Sequence, residues 1–204
     1  MKLRDSMETP PTEKHTAILD GAARVFAERG YEGASMSMIT AAAGVSKGTI
    51  YQHFPGKAAL FGATIARECE AMLADVFQGS GEAGDTSAVL RDVGTRMLAL
   101  FTTPKAMAIE RIVSADAARF PDLAEAFYAA GPARAIASMA GLLARETAAG
   151  RLLVPDPEFA AEQFFMLCQT RVVMRTRLGL ACTPGEAARV VEEAVAVFVR
   201  AYGQ

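Results

Sequence analysis

The sequence predicts an all-α protein. Apolar residues recur at spacings of three and four along nearly all of its 204 positions, the period of a helix with one buried face. No stretch alternates apolar and polar residues with the β-branched enrichment of a strand. Glycine, proline and serine fall between the periodic stretches and punctuate them.

Taken in order, Ile18, Ala22, Val25 and Phe26 lie at i, i+4, i+7 and i+8 and define a first helix. It should end at Gly30, a residue suited to the left-handed cap. Ser35 caps a second, short helix with Met36, Ile39, Ala42 and Ala43 inward, and Gly44 stops it. Ser46 caps a third, Lys47 to Phe54, because Pro55 disfavours helical backbone at the residue before it. A fourth, over 57–78, carries Phe61, Ile65, Cys69, Met72, Leu73 and Val76 on one face, and the polar run GSGEAGD at 79–85 reads as a linker. Breaks at Pro104, Pro121, Gly131-Pro132, 150–157 and 179–184 then delimit helices of about 86–102, 105–118, 122–149 with a kink, 158–178 and 184–201. That makes nine helices.

Composition excludes several classes. With 51% apolar and 22% charged residues the chain can bury enough surface to offset its conformational entropy, so it is not disordered. Its longest run without Asp, Glu, Lys or Arg is 14 residues, Gly33 to Ser46, short of the ~18 a membrane span needs. The amino terminus MKLRDSMETPPTEKH mixes charges and prolines where a secretory signal has an apolar core, so a cytoplasmic protein is expected. Cys69, Cys168 and Cys182 are odd in number and have no histidines at ligand spacing, which argues for reduced thiols. No disulfide, metal or cofactor is expected. His15 and His53 are 38 residues apart with no carboxylate at ligand spacing. Ser46 and His53 have no orienting acid beside them, and Glu68, Glu70, Asp116, Glu192 and Glu193 read as solvated surface charges, so the chain is not expected to be an enzyme.

Net charge is −2, but it is unevenly spread: 1–67 carries +2 and 68–204 carries −4, and from Gly33 to Arg67 there is no acid at all. Such a head orients towards a polyanion. Within it, two short helices flank Gly44-Val45-Ser46, the pattern of a helix-turn-helix. Ile50 and Phe54, four apart, must face a core. The other face then presents Gly48, Thr49 and Gln52, flanked by Lys47, Tyr51 and His53, all able to meet base edges or phosphates in a major groove. Lys47 and Lys57 can neutralise phosphates, and the hydroxyl of Tyr51 can donate to one. Lys2 and Arg4, diluted by Asp5, Glu8 and prolines, read as a plain mobile terminus.

Read continuously, residues 14 to 65, and above all AGVSKGTIYQHFPGKAALF, resemble the DNA-binding domain of the TetR/AcrR transcriptional regulators. The resemblance implies a homodimer on a roughly palindromic operator, with Lys47, Gly48, Thr49, Tyr51, Gln52, His53 and Lys57 at the positions where the family touches DNA. Two departures are visible. Ser37-Met38 stands where the family often has a charged pair, leaving phosphate contacts from the second helix to the hydroxyls of Ser35 or Ser37, and Thr40 stands where alanine is common. Residues 105 to 165 resemble the carboxy-terminal domain of the AefR-like branch, which implies an effector-binding and dimerisation body. The expected division is a tail at 1–13, a head at 14–60 with the start of the linking helix, and a body at 61–204.

For that body, Met97, Phe101, Ile109, Phe127, Met139, Leu142, Phe165, Met166 and Val172 are candidates to line a ligand cavity, with Gln169 orienting the ligand. A filled core explains the same stripes. The last two helices are apolar over more than one face, which predicts a two-fold four-helix bundle between subunits. Phe164 and Val173 on one helix, and Val190, Val191, Ala194, Val195 and Phe198 on the other, are the expected contacts. The function that follows is a dimeric repressor released from its operator by an apolar or amphipathic small molecule. Rival readings are a DNA-binding protein without effector, and a ligand-binding helical protein with a vestigial head.

Overall fold

A computed structural model describes residues 13–78 and 85–204, so the tail, with Lys2 and Arg4, and the body of the 79–85 linker lie outside the described residues. The described residues form eleven helices: α1 (Glu13–Gly33), α2 (Met36–Ala43), α3 (Lys47–His53), α4 (Lys57–Phe77), α5 (Thr86–Phe101), α6 (Pro104–Asp116), α7 (Pro121–Ala130), α8 (Pro132–Ala148), α9 (Pro157–Gln169), α10 (Val172–Arg177) and α11 (Glu186–Tyr202). No strand occurs among them, only one isolated bridge between Leu152 and Gly203. None of these helices is long and apolar enough to cross a membrane.

The count exceeds the expected nine because two long helices are broken. Residues 122–149 divide at Gly131 (φ −117°, ψ −80°), after which Pro132, lacking an N–H, opens α8. Residues 158–178 divide at Thr170 (ψ 149°) and Arg171 (φ 41°), where the Thr170 hydroxyl donates to Leu167 O. The polar triplet Gln169-Thr170-Arg171 therefore ends a helix instead of burying polar groups inside one. Gly30, the expected end of α1, is its break: at φ 69° it kinks the chain before the last turn, Tyr31–Gly33.

Two cores organise the helices. In the head, Ile18, Phe26, Tyr31, Ile39, Ile50, Phe54 and Leu60 are joined by Val113 of α6 and by Leu123 and Ala130 of α7. Phe61, 1% exposed, lies edge-on to Phe26 (5.0 Å) and Tyr31 (5.5 Å). Burying a side chain of that size contributes about 1.5–3 kcal/mol. The head's core thus runs past the expected boundary at 60/61 into α6 and α7. The second core gathers α5, α8, α9, α10 and α11 around Phe164 and Phe198, whose rings meet at 5.2 Å.

That second core corrects the expected dimer contacts. Phe164, Val173, Val190, Val191, Ala194, Val195 and Phe198 are all buried by their own subunit, so none is free for a partner. Their stripe is consumed covering α5 and α9. Met139, Leu142 and Val172 are also filled core.

Close approach fixes the head. At Gly21 an added Cβ would lie 2.8 Å from the Ala43 backbone nitrogen and 2.9 Å from Ala43 Cβ, so α1 and α2 touch backbone to backbone there. Gly21→Ala should destabilise the protein by about 1–3 kcal/mol, the usual cost of overpacking. A chemical-denaturation midpoint unchanged from the parent protein would contradict that contact.

Candidate nucleic-acid interface and internal cavity

The reading head is built by its caps. Gly44 takes the left-handed conformation (φ 66°, ψ 28°) and its N–H bonds Ala41 O and Thr40 O, closing α2. Ser46 Oγ then accepts from Thr49 N at 3.1 Å and starts α3 in a new direction. With Ile50 and Phe54 buried, α3 turns Lys47, Gly48, Tyr51, Gln52 and His53 outward, and Tyr51 is 53% exposed. Thr49 is half-buried, its hydroxyl 2.8 Å from Ser46 Oγ. Ser35 and Ser46 are engaged as caps, Ser35 Oγ accepting from Met38 N, whereas Ser37 is exposed.

Lys57 is placed differently from the expectation. Its ammonium points into the molecule, donating to Tyr31 O at 2.8 Å and Ala34 O at 3.0 Å, and lies 4.4 Å from the Tyr31 ring centroid and 5.7 Å from that of Phe120. Burial lowers its pKa below the usual lysine value, against the opposing pull of Asp116 and Glu32. It closes the end of α1.

The structure brings His15 and His53 together, ring centroids 5.8 Å apart, and burial lowers the His15 pKa, with His53 and Arg67 adding to the effect. No group of three or more metal-ligating side chains occurs among the described residues. Sequence reasoning missed Lys14, which is exposed and borders the surface groove formed with Gly44, Val45, Ser46 and Thr49. Its signal was weak, since only packing of α1 against α2 carries it beside the turn.

Behind the head, α4 to α10 line a half-open cavity of about 510 Å³, within the usual range for small-molecule sites. Of the ten candidates, Met97, Phe101, Ile109, Phe127, Phe165, Met166 and Gln169 line it, and Met139, Leu142 and Val172 do not. Sequence reasoning missed Cys69, Met72 and Leu73 of α4, already legible as part of an apolar stripe, and the polar Glu68, Glu110, Glu162 and Arg177. Burial pushes the Cys69 thiol pKa up, so it stays protonated. At the rim, Arg177 forks onto Glu110 (2.5 and 3.2 Å) and Lys105 pairs with Glu68.

Ile109 and Phe127 line the cavity and also pack against the head's core. Nearby, Arg119 pairs with Glu32 at 2.6 Å and Phe120 meets Tyr31 at 5.2 Å, so the α6–α7 corner is docked on the end of α1. Cavity wall and reading head share side chains.

An exposed, acid-free helix after a tight turn, on a larger helical body, defines a helix-turn-helix DNA-binding protein. Family models agree over both parts: residues 18–64 match the bacterial regulatory proteins of the tetR family, and residues 88–204 the carboxy-terminal domain of AefR-like transcriptional repressors. The chain belongs to the TetR family of transcriptional regulators and is not an enzyme. Among solved structures it is similar to the flavonoid-responsive regulator FrrA (36% identity, TM-score 0.80, 93% of this chain and 97% of that one). It is also similar to a TetR-family regulator from Mesorhizobium loti (28% identity, TM-score 0.81, 97% and 100%). The transcriptional repressor AcnR of Corynebacterium glutamicum is 46% identical over 71 residues, 35% of this chain and 37% of that protein, so the match spans about a third of that relative.

Proposed function

We propose that this protein is a homodimeric repressor that occupies a palindromic operator in the cytoplasm and leaves it when a small apolar or amphipathic molecule fills the cavity. The observation that carries the reading is the double membership of Ile109 and Phe127, which line the cavity and pack against the head's core. A ligand that reshapes that wall moves the support of α1 and α4. FrrA, by its name, responds to a flavonoid, which supports a small-molecule effector here. Releasing the operator a thousandfold requires about 4 kcal/mol of differential ligand binding between the two arrangements of the heads.

The division of labour is a DNA-reading head from residue 14 to the start of α4, whose core borrows side chains from α6 and α7, and a body that holds the ligand and the partner. Lys47, Gly48, Tyr51, Gln52 and His53 face DNA, with Thr49, Ser37 and Lys14 beside them. The partner subunit covers the apolar side chains left outside the core on α9, α10, the loop after α10, and α11: Phe159, Met174, Leu178, Leu180 and Val197.

Purified protein incubated with fragmented genomic DNA at ~150 mM salt tests this, with bound fragments sequenced beside a Tyr51→Ala, Gln52→Ala control. The parent protein should enrich one inverted repeat. The control should keep its fold and bind that repeat about 10²–10⁴ weaker, since two such contacts are each worth roughly 1–3 kcal/mol. Equal enrichment by both proteins would remove α3 from base reading.

A further inference from the structure

The geometry points to the class of effector: an elongated, uncharged aromatic molecule with a hydroxyl group at each end, lying along α9 and donating to Glu162 and Gln169. This rests on the reading of the cavity as the effector site.

The cavity face of α9 presents Glu162, Phe165, Met166 and Gln169, at i, i+3, i+4 and i+7, one side of a helix. Seven residues at 1.5 Å each set the two polar residues about 10.5 Å apart along the axis, with the apolar pair between them. Glu162 is exposed and Gln169 half-buried, and neither the carboxylate nor the amide has a hydrogen bond or ion pair among the described residues. The other charges on the wall are already engaged, Glu110 by Arg177 and Glu68 by Lys105. The Cys69 thiol is neutral.

The groups left to a ligand are therefore an anionic acceptor, Glu162, and an amide, Gln169, that accepts through its oxygen or donates through its NH2, separated by aromatic and methionine surface. A carboxylate ligand would meet Glu162 with like charge and find the cations of the wall and rim, Arg177 and Lys105, already paired with Glu110 and Glu68. A hydroxyl donates to the carboxylate at one end and to the amide oxygen at the other. The flat body between them contacts Phe165 and Met166, whose ring and thioether suit an aromatic partner.

Calorimetric titration of the full chain with 4,4′-dihydroxybiphenyl, 4-hydroxybiphenyl and biphenyl-4-carboxylate tests the assignment, in parallel with operator binding. The dihydroxy compound should bind about tenfold tighter than the monohydroxy one, as expected for one added hydrogen bond to a charged or buried acceptor. The carboxylate should be the weakest. Glu162→Leu and Gln169→Leu, with melting temperatures unchanged, should each remove the advantage of the second hydroxyl. A carboxylate that binds as tightly as the dihydroxy compound overturns the inference, as does an advantage that survives both substitutions. Absence of binding by all three compounds overturns it together with the cavity reading. The expected selectivity without operator release upholds the ligand class and removes only the release mechanism.

Discussion

A protein carrying Phe159→Glu and Val197→Glu should sediment as a folded monomer and bind its operator about a thousandfold more weakly than the parent protein. Both side chains are largely exposed, at 57% and 46%, so within one subunit their replacement should move stability by no more than about 0.5 kcal/mol. They belong to helices that run antiparallel: Tyr202 OH donates to Gln163 Oε1 at 2.5 Å near one end, and Arg171 pairs with Glu186 at the other. On both helices these side chains stand outside the core. In a two-fold contact each glutamate appears twice, so four carboxylates would be buried in an apolar interface without partners. The affinity loss follows from linkage. Two joined heads bind the second half-site at an effective concentration set by the dimer, which is worth about 10²–10⁴ in affinity with no new contact. Analytical ultracentrifugation read beside operator titration checks both parts. A dimeric variant with undiminished operator affinity would place the subunit interface on another face.

The same helices explain why the exposure of these side chains was misread from sequence while the fold was not. Periodicity reports that a helix face is apolar, and α11 has such a face in Val190, Val191, Ala194, Val195 and Phe198. It does not report which neighbour covers it. Here α5 and α9 do, leaving Val197 and the outer side of α9 to the surface. Legibility was highest where local chemistry fixes backbone. Ser35, Gly44 and Ser46 through hydrogen bonds within a few residues, and Pro55 through the restriction its ring puts on Phe54, set the ends of α2 and α3, so the outward set on α3 followed from four positions. It was lower for the cavity. Met97 and Phe101 on its wall have the same spacing signal as Met139 and Leu142 in filled core. The difference is the space between helices, which no single helix encodes. The partner of Lys57 was also hidden, because it depends on a chain reversal that returns Tyr31 and Ala34 to the start of α4.

Lys57→Met should unfold the head at lower temperature and lower operator affinity with it, whereas Lys47→Met should lower affinity alone. Both residues are cations near the groove-facing helix, and a sequence reading gives them the same task. Their surroundings differ. Lys47 is exposed and has no ion pair among the described residues, so its loss removes one phosphate contact and reduces the slope of log affinity against log salt by about one. Lys57 donates to Tyr31 O and Ala34 O, carbonyls at the end of α1 and in the turn that follows it. Removing the ammonium leaves both short of a donor, and a hydrogen bond to a charged group contributes about 1.5–3 kcal/mol. The charge above the Tyr31 ring adds about 0.5–1 kcal/mol at a site with this much solvent access. Water reaching the carbonyls offsets part of the loss, so about 2–3 kcal/mol is expected in all. Methionine keeps the length and apolar stem of lysine, which confines the change to the cation. Circular dichroism melting curves and operator titrations across a salt series separate the two variants. If Lys57→Met melts with the parent protein and shifts only the salt slope, the side chain turns outward on DNA and holds a phosphate. If it melts early with the slope unchanged, it is the clamp that keeps α1 and α4 in register beneath the recognition helix.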